Sequence, residues 1–320
     1  MTLHMLHPIE PFEPVVTTGT FPQGDQWVAQ IKWDGVRMLS YYDGAQVSLV
    51  NRKLNTRTLQ YPEFLQADRY CRASSFILDG EIIAMSGGRP SFHEVMKRDS
   101  LRSGMSIERG VKQTQVSYMI FDVLYCNGSW VVDHSLQARQ QLLEQIIIPQ
   151  ADVQLVQNYP DAQALYTLME QYQMEGIIYK DLQSGYVVGG KDKRWQKRKI
   201  VHDLYAAVGG VTYRGKRVNA LVLGLYDEEG RFIYIGHAGG GKLSNQDWVN
   251  VTAQIEPDIT TVRPFMNEPE RSKGAVWLHP RLVVKVQFLE WTPGGTMRQP
   301  IIQAVVDHPA AGCTIAQANI

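Results

Sequence analysis

A lysine near an arginine at a predicted turn is the first feature of this sequence that could do chemistry. The segment Lys32 to Arg37, KWDGVR, joins two β-rich runs, and an Asp-Gly pair between such runs is typical of a hairpin. We expect the turn to hold the Lys32 amine at the mouth of a sheet, with the Arg37 guanidinium close by. Such an amine is a candidate nucleophile once it has lost its proton. The segment alone fits an ordinary hairpin equally well.

Two acidic residues stand in or beside apolar strands. Glu81 lies within the predicted strand 76–84, and Glu175 enters a second apolar run that ends at Lys180. A carboxylate buried without a partner is costly, so we expect Glu81 to face a ligand, a metal or a basic group. Taken singly, each acid would serve as well in an ordinary salt bridge.

An aromatic residue and a basic strand complete the set. Phe121 offers a ring that could stack on a base or simply fill the core. In residues 195–199 the alternation of a strand places Lys197 and Lys199 on one face, which suits phosphate binding or a solvated surface. The presence of all these segments in one chain favours a site over a series of unrelated features.

The elements that must position these residues are strands interrupted by helices. Predicted strands cover residues 27–32, 36–42, 46–51, 76–84 and 176–180. Ser135 and Asp161 are predicted to cap two helices. Their expected apolar faces are Leu136, Leu142, Leu143, Ile146 and Ile147 in the first, and Leu165, Leu168, Met169 and Tyr172 in the second. The mixture predicts an α+β fold, preceded by a proline-rich extended segment at residues 1–26.

A domain boundary is expected near residues 201–205. Beyond it lie predicted strands at 205–209, 220–226, 232–235 and 282–288, and one brief helix at 246–255. Several short strands with only one brief helix, in a segment of this length, are typical of an OB-fold barrel. The predicted domains are residues 1–201 and 202–320.

Composition excludes several classes of protein. Lys and Arg number 32, as do Asp and Glu, so a uniformly basic nucleic-acid binder is excluded. Hydrophobic residues at 44% and charged residues at 20% exclude a disordered or collagen-like chain. The three cysteines and eight histidines show no zinc-ligand spacing and no disulfide framework. Residues 1–10 contain no signal-peptide pattern, and no apolar run reaches the length of a membrane span, so we expect a cytoplasmic protein.

In their order along the chain these segments resemble the motifs of the covalent nucleotidyltransferases, and most closely of the ATP-dependent DNA ligases. The Lys32 segment resembles the adenylylation motif, and Asn51-Arg52 the motif that follows it. Residues 78–81, 121–125, 175–180 and 197–199 are similar to the next four motifs. The resemblance runs from about Asp25 to about Val306. It implies an adenylation domain of antiparallel sheets with flanking helices, followed by an OB-fold domain.

The resemblance implies a role for each candidate residue. Lys32 would attack the α-phosphorus of ATP to give lysyl-AMP, and Glu175, with Glu81, would lie on the side of Mg²⁺ or Mn²⁺. Glu81 would also bind the ribose, and Phe121 would stack on adenine. Arg37 and Arg52 would contact the nucleotide or the nick phosphate, and Lys180, Lys197 and Lys199 the α-phosphate. Expected nucleotide contacts therefore comprise Gln30, Ile31, Arg37, Arg52, Glu81, Phe121, Lys180, Lys197 and Lys199.

The second domain resembles the OB domain of bacterial end-joining ligases at residues 234–241 and 280–293. Arg298 begins a segment similar to the family's last motif, but Val306-Asp307-His308 departs from the usual Arg-x-Asp-Lys. Gly190-Lys191 also replaces the two arginines of many relatives. Arg298, Lys191 and Arg194 are the candidates for contact with pyrophosphate or DNA.

The resemblance also implies partners and leaves alternatives. The expected partners are nicked duplex DNA and a Ku-type end-binding protein, and the expected state is a monomer. The resemblance also implies a bacterial or phage-encoded protein that is associated with the nucleoid. The short segment before Lys32 and the absence of zinc cysteines favour ATP over NAD as donor. An RNA ligase, an mRNA guanylyltransferase-like enzyme and a non-catalytic OB-fold nucleic-acid-binding module are the alternatives.

The neutral total conceals a segregated charge. Residues 180–217 hold ten Lys and Arg and three Asp, a net of plus seven. We expect this segment to form a basic cleft and nick binding to weaken as salt rises.

Overall fold

The computed structural model describes residues 7–318. The expected absence of a signal peptide concerns residues 1–10, which lie largely outside the described part. The chain divides into two compact units, one ending at Ile200 and the other beginning at Val201. Across residues 7–318, no helix has both the length and the apolar character needed to cross a membrane.

The first unit contains twelve strands and five helices among its described residues. The strands are β1 Val15–Val16, β2 Trp27–Ile31, β3 Val36–Tyr42, β4 Val47–Asn51, β5 Phe76–Ile83, β6 Met85–Ser86, β7 Arg89–Pro90, β8 Ser117–Cys126, β9 Ser129–Trp130, β10 Val153–Leu155, β11 Gly176–Asp181 and β12 Trp195–Lys199. The helices are α1 Ala67–Tyr70, α2 Phe92–Asp99, α3 Gly104–Gln113, α4 Leu136–Ile146 and α5 Ala162–Gln171.

Two main sheets hold the candidate residues of this unit. One has the order β1-β12-β11-β2, and the other has the order β10-β8-β5-β3-β4 with β9 on β8. Helix α5 packs on β11 and β2, and α4 packs on β8. The candidate residues of the first sheet therefore stand at or near the ends of β2, β11 and β12. Those of the second sheet include residues of β5 and β8.

The predicted hairpin at Asp34-Gly35 is wrong. Strand β2 pairs with β11, whereas β3 pairs with β4 and β5, so residues 32–35 carry the chain from one sheet to the other. A Cβ atom at Gly35 would lie 2.2 Å from the Ile82 carbonyl oxygen, so this crossing needs glycine. The second Asp-Gly pair, at Asp43-Gly44, does join paired strands, since Tyr42 lies opposite Val47.

Both predicted helix caps are confirmed. The Ser135 hydroxyl accepts a hydrogen bond from the Ala138 amide, and the Asp161 carboxylate accepts one from the Ala164 amide. The predicted apolar face of α5 is wrong in part, because Leu165 and Met169 are buried while Leu168 and Tyr172 are exposed. The helix turns only its Leu165 side toward the sheet.

Helices α2 and α3 were not predicted. The buried face of α2 includes Arg98 and Asp99 as well as Val95. Arg98 is fully buried and donates to the Glu63 carboxylate and the Gln60 carbonyl. Because charged residues occupy the inward positions, the apolar periodicity that marks a helix is weak here.

The second unit is a curved sheet around its own core. Its elements are β13 His202–Arg214, β14 Arg217–Tyr226, β15 Phe232–Ala238, α6 Asn245–Gln254, β16 Ile259–Thr260, β17 Val276–Leu278, β18 Val283–Phe288 and β19 Ile301–Val306. The long β13 pairs with β14 on one side, and with β18 and then β17 on the other. Beyond β15, Gly240 and Lys242 exchange backbone hydrogen bonds with Ile302 of β19. This contact brings the chain beyond β15 against β19, so the two ends of the strand path β15-β14-β13-β18-β19 curve around one core.

Candidate active site

Lys32 stands at the end of the edge strand β2, where the antiparallel neighbour β11 fixes its backbone. Its amide donates to the Gly176 carbonyl at 3.0 Å, and the preceding Ile31 lies opposite Ile177 of β11. The site is therefore built where the chain leaves the first sheet for the second. This differs from the predicted hairpin, although the lysine does stand at the end of a strand.

Glu175 links two lysines. Its carboxylate forms an ion pair with the Lys32 ammonium and a second one with Lys199, whose Nζ lies 3.2 Å from Oε1. The carboxylate is largely buried, which raises its pKa, but the two lysines outweigh burial and hold the pKa below its ordinary value. Glu175 is therefore a charged acceptor between two cations.

Gly176 permits this arrangement. Its φ is +139°, and a Cβ atom there would lie 2.1 Å from the Arg198 carbonyl oxygen. The backbones of β11 and β12 approach each other at this point, where Gly176 lies opposite Lys199. Only glycine lets Glu175 and Lys199 emerge side by side.

Glu81 is the second carboxylate of the site. It is half-buried in β5, and burial raises its pKa to about 8, against the opposing effects of Lys32 and Arg37. The negative charge of Glu175 also raises the pKa of Glu81. Within residues 7–318 no hydrogen bond or ion pair to the Glu81 side chain is formed, so its oxygens are available to a ligand.

Lys197 extends the cluster along β12. It lies opposite Ile178, which in turn lies opposite Gln30, so these three side chains share one face of the sheet. Partial burial lowers the pKa of Lys197, and so do the charges of Lys32 and Lys199. The predicted shared face of Lys197 and Lys199 is thus present in the sheet.

The two predicted nucleotide contacts on β2 point in opposite directions. Gln30 is buried, and its amide donates to the Asn158 side chain at 2.8 Å. Ile31 alternates to the other face, where it packs with Ile177 in the core. Ile31 therefore supports the site through packing.

Three further predicted cations lie around Glu13 and Asp192. Glu13 forms ion pairs with Arg52 at 3.2 Å and with Lys191 at 3.8 Å. Arg194 pairs with Asp192 at 2.9 Å. Arg52 and Lys191 are more than half exposed, so both can exchange Glu13 for a phosphate.

Arg37 is occupied within the protein. Its guanidinium binds both oxygens of Asp79, at 2.9 and 2.6 Å, and donates to the Phe12 carbonyl at 2.6 Å. Burial lowers the pKa of the Arg37 guanidinium, but the Asp79 carboxylate raises it by more. The pKa of Arg37 therefore lies above its ordinary value. Arg37 was predicted to contact nucleotide or nick phosphate, and the structure places it in this buried pair.

Lys180 is separated from the other lysines by aromatic rings. Its Nζ lies 4.2 Å from the centroid of Phe121 and 3.9 Å from that of Trp195. The side chain is 2% exposed, and its ammonium has no hydrogen-bond partner within the described residues. Burial lowers the pKa of Lys180 to about 7.

Several residues of this region were missed by the sequence analysis. Asp122 forms a fully buried double hydrogen bond with Arg139, and Tyr186 donates to Asp79 at 2.8 Å. Arg139 could have been noticed, because it lies three residues after Leu136 and four before Leu143 on the apolar face of α4. Glu13 carries no comparable local signal.

Arg298 belongs to the second unit. It pairs with Glu290 at 2.7 Å, and its side chain is largely buried. The backbones of these two residues are also joined, since the Arg298 amide donates to the Glu290 carbonyl at 2.9 Å. The arginine is therefore held firmly in its own unit.

Glu175 and Glu81 suit a magnesium ion that takes most of its other ligands from water and substrate phosphates. Within residues 7–318 no group of three or more His, Cys, Asp or Glu side chains could hold a metal alone. Mg²⁺ commonly takes one or two carboxylates and completes its shell with water and substrate phosphates. Glu175, with Glu81 nearby, supplies that number of oxygen donors.

Comparisons with known proteins agree with this geometry. The family model described as ATP dependent DNA ligase domain matches residues 10–199, and the one described as ATP dependent DNA ligase C terminal region matches residues 214–307. The multifunctional non-homologous end joining protein LigD of Mycobacterium bovis is 29% identical over 287 residues, which is 87% of this chain and 36% of that protein. A DNA ligase of Thermococcus fumicolans is 29% identical over 282 residues, or 83% of this chain and 48% of that protein.

The structural comparison extends to both units. A structure of mycobacterial DNA ligase D complexed with ATP and MES matches with a TM-score of 0.53 and 26% identity, and covers 96% of this chain and 98% of that one. The chain thus spans about a third to a half of the length of these curated relatives. The predicted fold class, an α+β adenylation domain followed by an OB-fold domain, is confirmed. The chain belongs to the ATP-dependent DNA ligase family.

Proposed function

We propose that this chain is a DNA ligase that uses ATP to seal nicks between a 5′-phosphate and a 3′-hydroxyl. The observation that carries the proposal is the cluster of Lys32, Glu175 and Lys199, with Glu81 and Lys197 beside it. It combines a nucleophilic amine with carboxylates for a metal ion and cations for phosphate.

The first step joins Lys32 to AMP. The deprotonated amine attacks the α-phosphorus, a bond from nitrogen to phosphorus forms, and the bond to the departing pyrophosphate oxygen breaks. The nitrogen releases a proton to solvent, which leaves the phosphoramidate lysyl-AMP. Lys197 and Lys199 stabilise the charge on the α-phosphate. Glu175, with Glu81 nearby, would hold a divalent ion, which would neutralise charge on the phosphates.

Two further transfers complete the reaction. An oxygen of the nick's 5′-phosphate attacks the phosphorus of lysyl-AMP, so AMP passes to the DNA and the Lys32 amine is released. The 3′-hydroxyl then attacks the activated 5′-phosphate, gives up its proton and expels AMP. Arg52 and Lys191 would bind phosphates through their exposed side chains, and Arg194 and Arg298 remain our candidates for contact with DNA and pyrophosphate.

Intact-mass spectrometry after incubation with ATP and Mg²⁺ tests the first step. We expect the mass of one added AMP in the wild type, none in Lys32→Ala, and normal labelling in Lys112→Ala, an exposed lysine of α3. An unmodified wild-type protein would favour the non-catalytic binding module. Substituting GTP for ATP, and nicked RNA for nicked DNA, separates a DNA ligase from an RNA ligase or a guanylyltransferase-like enzyme.

We also infer a role in end joining or repair, in company with a Ku-type protein. The similarity to LigD, named as a multifunctional end-joining protein, supports this role. Joining of linear duplexes with and without a bacterial Ku protein tests it. Stimulation beyond that seen with an unrelated end-binding protein is expected, and equal stimulation by both would contradict the inference.

A further inference from the structure

Lys180 has a surplus charge that its surroundings do not neutralise. Three buried cations, Arg37, Lys180 and Arg139, lie near two buried carboxylates, Asp79 and Asp122. Each carboxylate already accepts two hydrogen bonds from its own arginine. Lys180 is therefore left with the faces of aromatic rings as its nearest partners.

This setting does not suit the α-phosphate contact that the family resemblance implied for Lys180. The Nζ atom is sealed from solvent, and Phe121 and Trp195 lie within 4.2 and 3.9 Å of it. The lysines that share a face with access to solvent are Lys197 and Lys199. A phosphate could reach Lys180 only if the Phe121 ring moved away.

Phe121 itself differs from Lys180 in exposure. Phe121 is only partly buried, so part of this residue meets solvent although the Lys180 ammonium against its ring is sealed. Arg37 lies 5.3 Å from the same ring centroid, which adds a second cation. The ring thus contacts buried positive charge, and part of the residue is left open to a ligand.

A cation against one face of a ring draws π-electron density toward itself. The opposite face then becomes a better partner for an electron-rich ring that stacks on it. We propose that Lys180 is a specificity-determining residue, whose ammonium prepares Phe121 to stack on the electron-rich purine of the nucleotide. This inference rests on the proposed function, and it assigns Lys180 to the base instead of the phosphate.

Adenosine is the decisive probe, because it has the purine and the ribose but no phosphate. Its dissociation constant and that of ATP are measured by calorimetry at pH 6, for the wild type, Lys180→Met and Lys180→Arg. We expect Lys180→Met to weaken both ligands by the same factor, about three- to tenfold, because it removes the cation and keeps the length. Lys180→Arg should stay close to the wild type.

The same substitution in a Phe121→Leu background provides the control for mechanism. Without the ring, Lys180→Met should produce no further loss of adenosine affinity. Unchanged adenosine binding in Lys180→Met would overturn the inference. A loss confined to ATP would also overturn it, because that result indicates a phosphate contact.

A titration of the wild type covers the case in which Lys180→Met does not fold. The charged groups that face Lys180 are Arg37, Asp79, Asp122 and Arg139, and its pKa is about 7. Because Lys180 loses its proton in this range, we expect adenosine binding by the wild type to weaken from pH 6 to 8. The Glu81→Gln variant should show the same change. Adenosine binding by Phe121→Leu should stay constant. A flat wild-type profile would contradict the inference. If Lys32 is adenylated but these results fail, only the role of Lys180 is lost, whereas absence of adenylation defeats the proposed function.

Discussion

The Lys32 ammonium and the Glu175 carboxylate form an ion pair, although 143 positions separate them in the sequence. The same carboxylate accepts from Lys199. The residue proposed to attack ATP is thus tied to the residue proposed to hold the metal, and both adjoin a phosphate-binding lysine. A metal ion that takes Glu175 would therefore also change the partner of the Lys32 amine.

We expect Glu175→Gln to lower the rate of Lys32 adenylation at least a hundredfold, because it removes the carboxylate charge and keeps the shape. Single-turnover formation of lysyl-AMP, followed by intact mass, measures the rate. Glu170→Gln, an exposed site on α5, is the matched control and should react normally. A rate within tenfold of the wild type would show that Glu175 is not required for this step.

Gly176→Ala should impair adenylation without a change to any charged residue. Its Cβ atom would lie 2.1 Å from the Arg198 carbonyl oxygen, so β11 and β12 must separate and move Glu175 away from Lys199. Gly104→Ala meets nothing within 4 Å and should have no such effect. The two rates of lysyl-AMP formation are compared, and an active Gly176→Ala enzyme would contradict the argument.

The Asp122–Arg139 pair should be important for folding. Because both side chains are fully buried, Asp122→Asn leaves a buried guanidinium without its counter-charge, at a cost of about 3–5 kcal/mol in the free energy of unfolding. Urea denaturation measures this loss. Asp192→Asn removes an exposed partner of Arg194 and should cost about 1 kcal/mol or less. Equal effects of the two substitutions would refute the distinction.

Glu81 should make stability depend on pH. Burial raises its pKa from 4.5 to about 8, so the folded state keeps a proton that the unfolded state loses between these values. The free energy of unfolding therefore falls as pH rises through this window, by up to about 1.4 kcal/mol per pH unit from this group. Glu81→Gln should lack that contribution. Denaturation of both proteins between pH 5 and 6 tests this, below most of the range in which Lys180, with a pKa of about 7, loses its proton.

Nick binding should weaken as salt increases, because phosphate contacts release counterions. Arg52→Gln and Lys191→Gln should each reduce the slope of log affinity against log salt by about one. Fluorescence anisotropy on a nicked duplex measures the slopes, with Lys112→Gln in α3 as the control. Slopes equal to that of the wild type would exclude both residues from the DNA interface.

Local sequence alone determined most of the strands around the site, the helix caps and the identity of most residues in the cluster, although β8 and β10 were not predicted. Ser135 and Asp161 could be recognised as caps because a cap depends on an amide only three positions away. Lys197 and Lys199 could be placed on one face because alternation is a property of any strand. The ligase resemblance added the order of the motifs.

Tertiary structure decided which charges meet. The Asp-Gly pair at Asp34 has the chemistry of a hairpin, but β2 and β3 belong to different sheets. Arg37 could bind phosphate by its chemistry, yet it is held by Asp79, 42 positions away. Lys180 looks equivalent to Lys197 and Lys199 in sequence, but it is enclosed between Phe121 and Trp195. Periodicity reports only local neighbours, whereas burial and ion pairing depend on strands brought together from distant parts of the chain.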